Sequence, residues 1–186
     1  FCTVPLADYH QPSELSNLSV TELEAFSREL RQYIIDTVLE VGGHFAANLG
    51  VVELTVCLIK HFDPNHHPEV WDVRHQSYPY KILTDRKAEL KSIRQLHGLS
   101  GFPKREEHPL DYFGTGHSST SISAMMGLAT ANLLKGNTST HIAVIGDGAL
   151  SGGMSLEALN NLSDTKINAL IIFNDNGMGI DPNGGA

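Results

Sequence analysis

His141-Ile142-Ala143-Val144-Ile145-Gly146-Asp147-Gly148 and Ala169-Leu170-Ile171-Ile172-Phe173-Asn174-Asp175-Asn176 are two short apolar runs, each closing on a polar tip. Runs of about five apolar residues without alternation suit strands buried on both faces, the usual state of a parallel sheet. Between them, Met154 to Leu162 carries a helical pattern. Before them, Ser118-Ser119-Thr120 should cap a helix rich in Ala, Met and Gly that runs to about Leu134, and Gly136-Asn137 marks the turn into the first run. Strand, helix, strand is the pattern of an α/β domain, a parallel sheet flanked by helices. Ligands of such sheets gather beyond the carboxyl ends of the strands, so both tips belong to one crevice if the two strands are neighbours.

Working outward, Ser19 and Glu22 make a capping box, and Leu23, Phe26, Leu30, Ile34 and Val38 follow at helical spacing until Gly42-Gly43 stops the helix. A second helix is expected from about Val51 to Phe62, before Asp63-Pro64, and a short strand at Trp71-Asp72-Val73. Tyr78 to His108 mixes short helical stretches with charged loops. Residues 1–18, with Pro5 and Pro12, read as an irregular N-terminal segment ahead of one domain over 19–186. Phe1 at one end and the loop Asn183-Gly184-Gly185-Ala186 at the other read as cut ends, the domain being truncated at its C-terminal side.

With 186 residues, 41% of them hydrophobic, the chain can build one sizeable core. Its net charge of −8, from 13 Lys and Arg against 21 Asp and Glu, would repel a phosphate backbone and argues against nucleic acid as a partner. No run approaches the roughly 18 apolar residues of a membrane span, so no membrane is expected either. Cys2 and Cys57 are too few for a disulfide framework. Cys57, within an apolar run, is expected to be a buried free thiol. A reducing, cytoplasmic location follows, with a plastid left open.

Asp147 decides between two readings of the first tip. Gly146-Asp147-Gly148-Ala149-Leu150-Ser151 resembles a dinucleotide fingerprint, but Ser151 stands where the third Gly belongs and Gly152 comes one position late. A carboxylate beside a bare pyrophosphate is repulsive and needs a cation between them. Magnesium takes six oxygens, commonly one or two from protein and the rest from phosphate and water. Asp147 and Asn176 can each give a side-chain oxygen, and a backbone carbonyl near Met178 a third. Taken singly, Gly-Asp-Gly is an ordinary turn and Asn-Asp-Asn an ordinary helix cap; at two strand ends together they point to a metal-bridged diphosphate. Ten histidines are enough that several must be plain surface or core residues, and His66-His67 reads as a solvated loop. A zinc site from His44, His75 and His117 is the competing metal reading, without any local ligand spacing in its favour.

The paired tips resemble the cofactor signature of thiamine diphosphate enzymes. Longer segments resemble the 1-deoxy-D-xylulose-5-phosphate synthase family: Gly42-Gly43-His44 through Leu54, Trp71-Asp72-Val73-Arg74-His75-Gln76 through Leu83, Gly98-Leu99-Ser100-Gly101-Phe102-Pro103, and Gly116-His117-Ser118-Ser119-Thr120-Ser121. The resemblance runs from about Ser19 to the end. It implies the thiamine-diphosphate-binding fold, thiamine diphosphate with Mg2+ as cofactors, and a transferase that condenses pyruvate with glyceraldehyde 3-phosphate, losing carbon dioxide, for isoprenoid and thiamine synthesis. It implies a homodimer as well. On it, Asp147, Asn176 and Met178 would hold the metal, and Gly148 and Ala149 would lie against the diphosphate. His75, Gly116, His117 and Ser118 would contact the cofactor, and His44 and His75 would serve catalysis, His44 near the reacting carbon. Arg74 departs from the family, which usually has Gly there; it either crowds the pocket or faces solvent. Ser77 and Tyr80 are milder departures. The glutamate that activates the cofactor in this family lies on a later domain with no counterpart here. Two further readings stay open: a transketolase-type relative with another acceptor, and a cofactor-binding module without catalysis.

Overall fold

The structure, a computed structural model, describes residues 4–73, 75–114 and 116–175. Arg74, Asn176 and Met178, singled out above, lie outside the described residues. The chain divides into two compact units, one from Phe1–Pro64 and His75–Pro103, the other from Asn65–Arg74 and Lys104–Ala186.

The first unit is helical. Helix α1, Val20–Val41, begins as expected: Ser19 N donates to Glu22 Oε2 at 2.8 Å, and Glu22 N to Ser19 Oγ at 3.4 Å. It buries Leu23, Phe26, Leu30, Ile34 and Val38, and stops at Gly42, whose φ of 80° suits a residue without Cβ. The short helix α2, Ala46–Leu49, leads into α3, Val52–His61, which packs on α1 and buries Val52, Val56 and Ile59. Cys57 corrects an expectation: it is exposed. The buried positions 52, 55, 56, 58 and 59 define one side of the helix, and Cys57 falls opposite it despite its apolar neighbours.

Residues 4–18 pack into this unit. Leu6, Tyr9, Leu15 and Leu18 are buried, and Tyr9 stacks on Phe26 with ring centroids 5.3 Å apart. Two lysines clasp the segment by its carbonyls. Lys60 Nζ donates to Ser16 O and Leu18 O at 2.9 and 2.7 Å, and Lys87 Nζ to Leu6 O and Ala7 O at 2.6 and 2.9 Å. The segment's own backbone bonds are those of short turns, Leu6–Asp8 and Pro12–Leu15 among them, and the lysines supply partners for further carbonyls. The unit is completed by α4, Tyr78–Lys81, and turns up to Ser92.

The second unit carries the sheet, and the α/β class read from the sequence is what the chain adopts. Strands β1 (Glu69–Trp71), β2 (His141–Gly146) and β3 (Ala169–Asn174) are parallel in the order β1-β2-β3. The first strand forms two residues earlier than Trp71-Asp72-Val73 suggested, because the Asp72 N–H makes the last bond to β2 and Val73 then turns to φ 54°. Helices α5 (Ser121–Leu134) and α7 (Gly153–Leu162) pack side by side, and Ile122, Met125, Met126 and Ala158 bury themselves with Val70, Ala143 and Ile145. A further turn of helix, α6 (Asp147–Leu150), starts directly at the end of β2. His141, buried at the start of β2, is a satisfied core histidine: its two ring nitrogens meet Ser139 O at 2.9 Å and Asn132 Nδ2 at 2.8 Å. No helix among the described residues is long and apolar enough to cross a membrane.

The cap of α5 is a second correction. Thr120 makes no side-chain cap bond. The carboxylate of Asp72, 2% exposed, accepts from Ser119 N at 2.8 Å and Ser121 N at 3.0 Å, doing from the tip of β1 what Ser118-Ser119-Thr120 was expected to do locally. A buried charge satisfied by two amides of a helix start is worth about 1.5–3 kcal/mol per bond. Asp72→Ala should therefore lower stability by at least about 2 kcal/mol in urea unfolding, and Asp72→Asn, which keeps one acceptor, by less.

Candidate functional site

Because β2 and β3 are parallel neighbours, their polar tips stand at one edge. Gly146 pairs with Asn174 in the register, so Asp147 and Asp175 each follow directly on a paired residue. Asp72 leaves β1 at the same edge, its N–H donating to Val144 O at 2.7 Å. Asp147 is half-buried, Gly148 exposed and Ala149 buried. The edge thus gathers the carboxylate of Asp147 beside exposed backbone at Gly148. A carboxylate oxygen at a strand tip is a donor of the kind magnesium takes.

The loop before α5 is locked to this edge. Gly116, His117 and Ser118 are exposed, while Ser119 is buried with φ 70°, a conformation uncommon outside glycine. Its backbone is held by Asp72, and its hydroxyl donates to Ala149 O at 2.7 Å; Ser155 Oγ donates to the same carbonyl at 2.9 Å. Gly152 lies so close that a Cβ there would overlap Ser119 Oγ and stand 2.9 Å from Ser119 Cβ. The sequence marked Gly152 only as a misplaced fingerprint glycine; its reason is this contact.

In the helical unit, His44 and His75 come together, with ring centroids 5.6 Å apart. Asn48, 0% exposed, organises them. Its Nδ2 donates to His44 O at 2.8 Å and to His75 O at 2.9 Å, and its Oδ1 accepts from Tyr78 N at 2.9 Å. Phe102 flanks His44 with centroids 5.9 Å apart. Burial holds both imidazoles below their ordinary value, and at His44 the neighbouring His75 and Arg94 push the same way. Both are therefore neutral near pH 7. Asn48, Tyr78 and Asp72 were missed by sequence reasoning. The available signal was a polar residue inside an apolar run, as Asn48 is within Ala46 to Leu54.

The structure thus brings His44 to His75, and Gly116–Ser118 to the turn holding Asp147, Gly148 and Ala149. Asn176 and Met178 lie outside the described residues. Among the described residues no group of three or more His, Cys, Asp and Glu stands together as a metal ion would require.

A parallel sheet flanked by helices, with polar strand tips at one edge, places the protein in the α/β class whose ligands gather beyond the carboxyl ends of the strands. The family follows from comparison. Residues 6–186 match the family model of 1-deoxy-D-xylulose-5-phosphate synthase, and the chain belongs to that family. It is 57% identical over 174 residues to the 1-deoxy-D-xylulose-5-phosphate synthase of Clostridium botulinum, an alignment covering 94% of this chain and 28% of that protein. Against the synthase of Cytophaga hutchinsonii it is 55% identical over 181 residues, covering 97% and 28%. Against that of Exiguobacterium sibiricum it is 52% identical over 181 residues, covering 97% and 29%. The chain spans under a third of the length of these relatives.

Two outcomes follow from this geometry. Gly152→Ala should cost about 1–3 kcal/mol, because Ser119 cannot yield without losing its bond to Ala149 O. Gly153→Ala, where a Cβ meets nothing within 4 Å, should be neutral or slightly stabilising. Thermal unfolding of the two variants separates close approach from general glycine loss. The second outcome concerns pH. His44, His75 and His141 have folded values below the unfolded 6.5, so the unfolded chain binds protons more readily as pH falls. Their contribution is present above that value and lost below it. Urea midpoints should drop between about pH 7.5 and about pH 5.5, and less steeply in His75→Gln.

Proposed function

We propose that this chain is the magnesium- and diphosphate-binding part of a thiamine diphosphate-dependent transferase. The enzyme condenses pyruvate with glyceraldehyde 3-phosphate to 1-deoxy-D-xylulose 5-phosphate and carbon dioxide. The observation that carries the reading is the register of β2 and β3, which sets Asp147 level with the tip Asn174-Asp175 that leads to Asn176. Similarity to synthases along residues 6–186 favours this activity over a transketolase-type relative or a module without catalysis.

Bound thiamine diphosphate would supply the carbon centre that adds to pyruvate and stabilises charge after decarboxylation. Asp147 and Asn176, with the carbonyl of Met178, would hold Mg2+ against the diphosphate. The backbone of Gly148 and Ala149 would line the diphosphate, and His75 with Gly116, His117 and Ser118 would hold the remainder of the cofactor. His44 would meet the reacting carbon's substituents as a neutral imidazole, able to exchange a hydrogen bond or proton near pH 7. The domain organisation proposed is a diphosphate-binding domain over 19–186 with residues 1–18 leading into it, working in a cytoplasmic homodimer.

A hybrid tests this, with residues 6–186 replacing the matching segment of the Clostridium botulinum synthase. It should form product from pyruvate and glyceraldehyde 3-phosphate. By calorimetry, Asp147→Ala in the hybrid should abolish magnesium-dependent thiamine diphosphate binding. Asn176→Ala should weaken it by about tenfold or more, the scale of one charge-assisted contact of about 1.5–3 kcal/mol. Wild-type affinity in Asp147→Ala would overturn the assignment.

A further inference from the structure

Tyr78 is 0% exposed, so its hydroxyl has to be satisfied inside the protein. Its oxygen accepts the backbone N–H of His44 at 3.1 Å. The hydroxyl proton remains, and among the described residues the one acceptor within hydrogen-bond distance of Tyr78 Oη is His44 Nδ1, at 3.4 Å. The ring is well placed to hold that contact. Asn48 Oδ1 accepts from Tyr78 N, Asn48 Nδ2 donates to His44 O, and both residues are buried. Gly43 lets the two approach: its φ is 144°, and a Cβ there would stand 2.7 Å from Tyr78 Oη.

An O–H donated to Nδ1 requires that nitrogen to be unprotonated, and a neutral imidazole then carries its proton on Nε2. We infer that Tyr78 is a positioning residue that holds His44 as its Nε2–H tautomer, so that His44 presents a hydrogen-bond donor, not a base, to its ligand. Burial and the neighbouring His75 and Arg94 keep the ring uncharged, which leaves tautomerism as the property to be set. Among the described residues none is hydrogen-bonded to Nε2, and the ring is partly exposed, so the donor is available. The chemistry that matches it is an oxygen acceptor, the carbonyl or alkoxide oxygen of a 2-oxo acid or an aldehyde. That choice of ligand rests on the proposed function; the tautomer does not.

The test is a two-bond 1H–15N correlation spectrum of the chain with labelled histidine, recorded above the end of the His44 titration and assigned with His44→Gln. The wild-type protein should show His44 as a single Nε2–H species. Tyr78→Phe should shift it to a mixture of both tautomers while the His141 pattern stays unchanged, a signature that loss of stability alone does not produce. A wild-type Nδ1–H form, or an unaltered tautomer in Tyr78→Phe, would overturn the inference. Should Tyr78→Phe not fold, the wild-type spectrum still decides, since an Nδ1–H form would overturn the assignment by itself. Nε2–H at His44 alongside a hybrid that makes no product would support this assignment and overturn the proposed activity.

Discussion

The carboxylate of Asp72 is the interaction on which the geometry of the sheet edge depends. It leaves β1 buried, and a buried charge must collect hydrogen bonds or titrate away. It collects the amides of Ser119 and Ser121. That choice starts α5 and forces Ser119 into the left-handed region. From there the Ser119 hydroxyl reaches Ala149 O, and Gly152 has to remain without a side chain. One carboxylate therefore ties the tip of β1 to the turn that follows β2. The exposed segment Gly116–Ser118 runs directly into the residues so fixed.

Asn48 plays the corresponding part in the helical unit. A buried amide has two donors and an acceptor to satisfy, and Asn48 spends them on His44 O, His75 O and Tyr78 N. The two histidines are far apart in sequence, and they come together because a single side chain binds the backbone on which each is mounted. Both rings remain partly exposed while their backbones are fixed. In both units a buried polar group fixes the backbone on which more exposed polar residues are mounted.

Much was legible in the chain because the signals are local. The apolar runs from His141 and Ala169, the capping box of Ser19 and Glu22, and the stop at Gly42-Gly43 each depend on neighbours within a few residues, and each appears as read. The strand tips were legible as candidates, and the condition attached to them, that the strands be neighbours, is met by the register. The misreadings have a common cause. Ser118-Ser119-Thr120 looks like a helix cap, but a carboxylate 47 positions away in sequence binds more strongly than a local hydroxyl. Cys57 looks buried by its company, but burial follows the helix face rather than the average of the run.

The sequence by itself determined the fold class, the parallel strands, the main helices and the residue types that could meet a diphosphate and a metal. Helical and strand periodicity, capping and chain turning are short-range properties of the polypeptide. Only the tertiary structure decided which buried groups do the organising, since what Asp72, Asn48, Tyr78 and Gly152 meet cannot be read from their sequence neighbours. Their partners arrive from distant segments. Their roles come from desolvation: once water is excluded, each buried donor or acceptor must find the one geometry in which it is satisfied, and that geometry exists only in the folded chain.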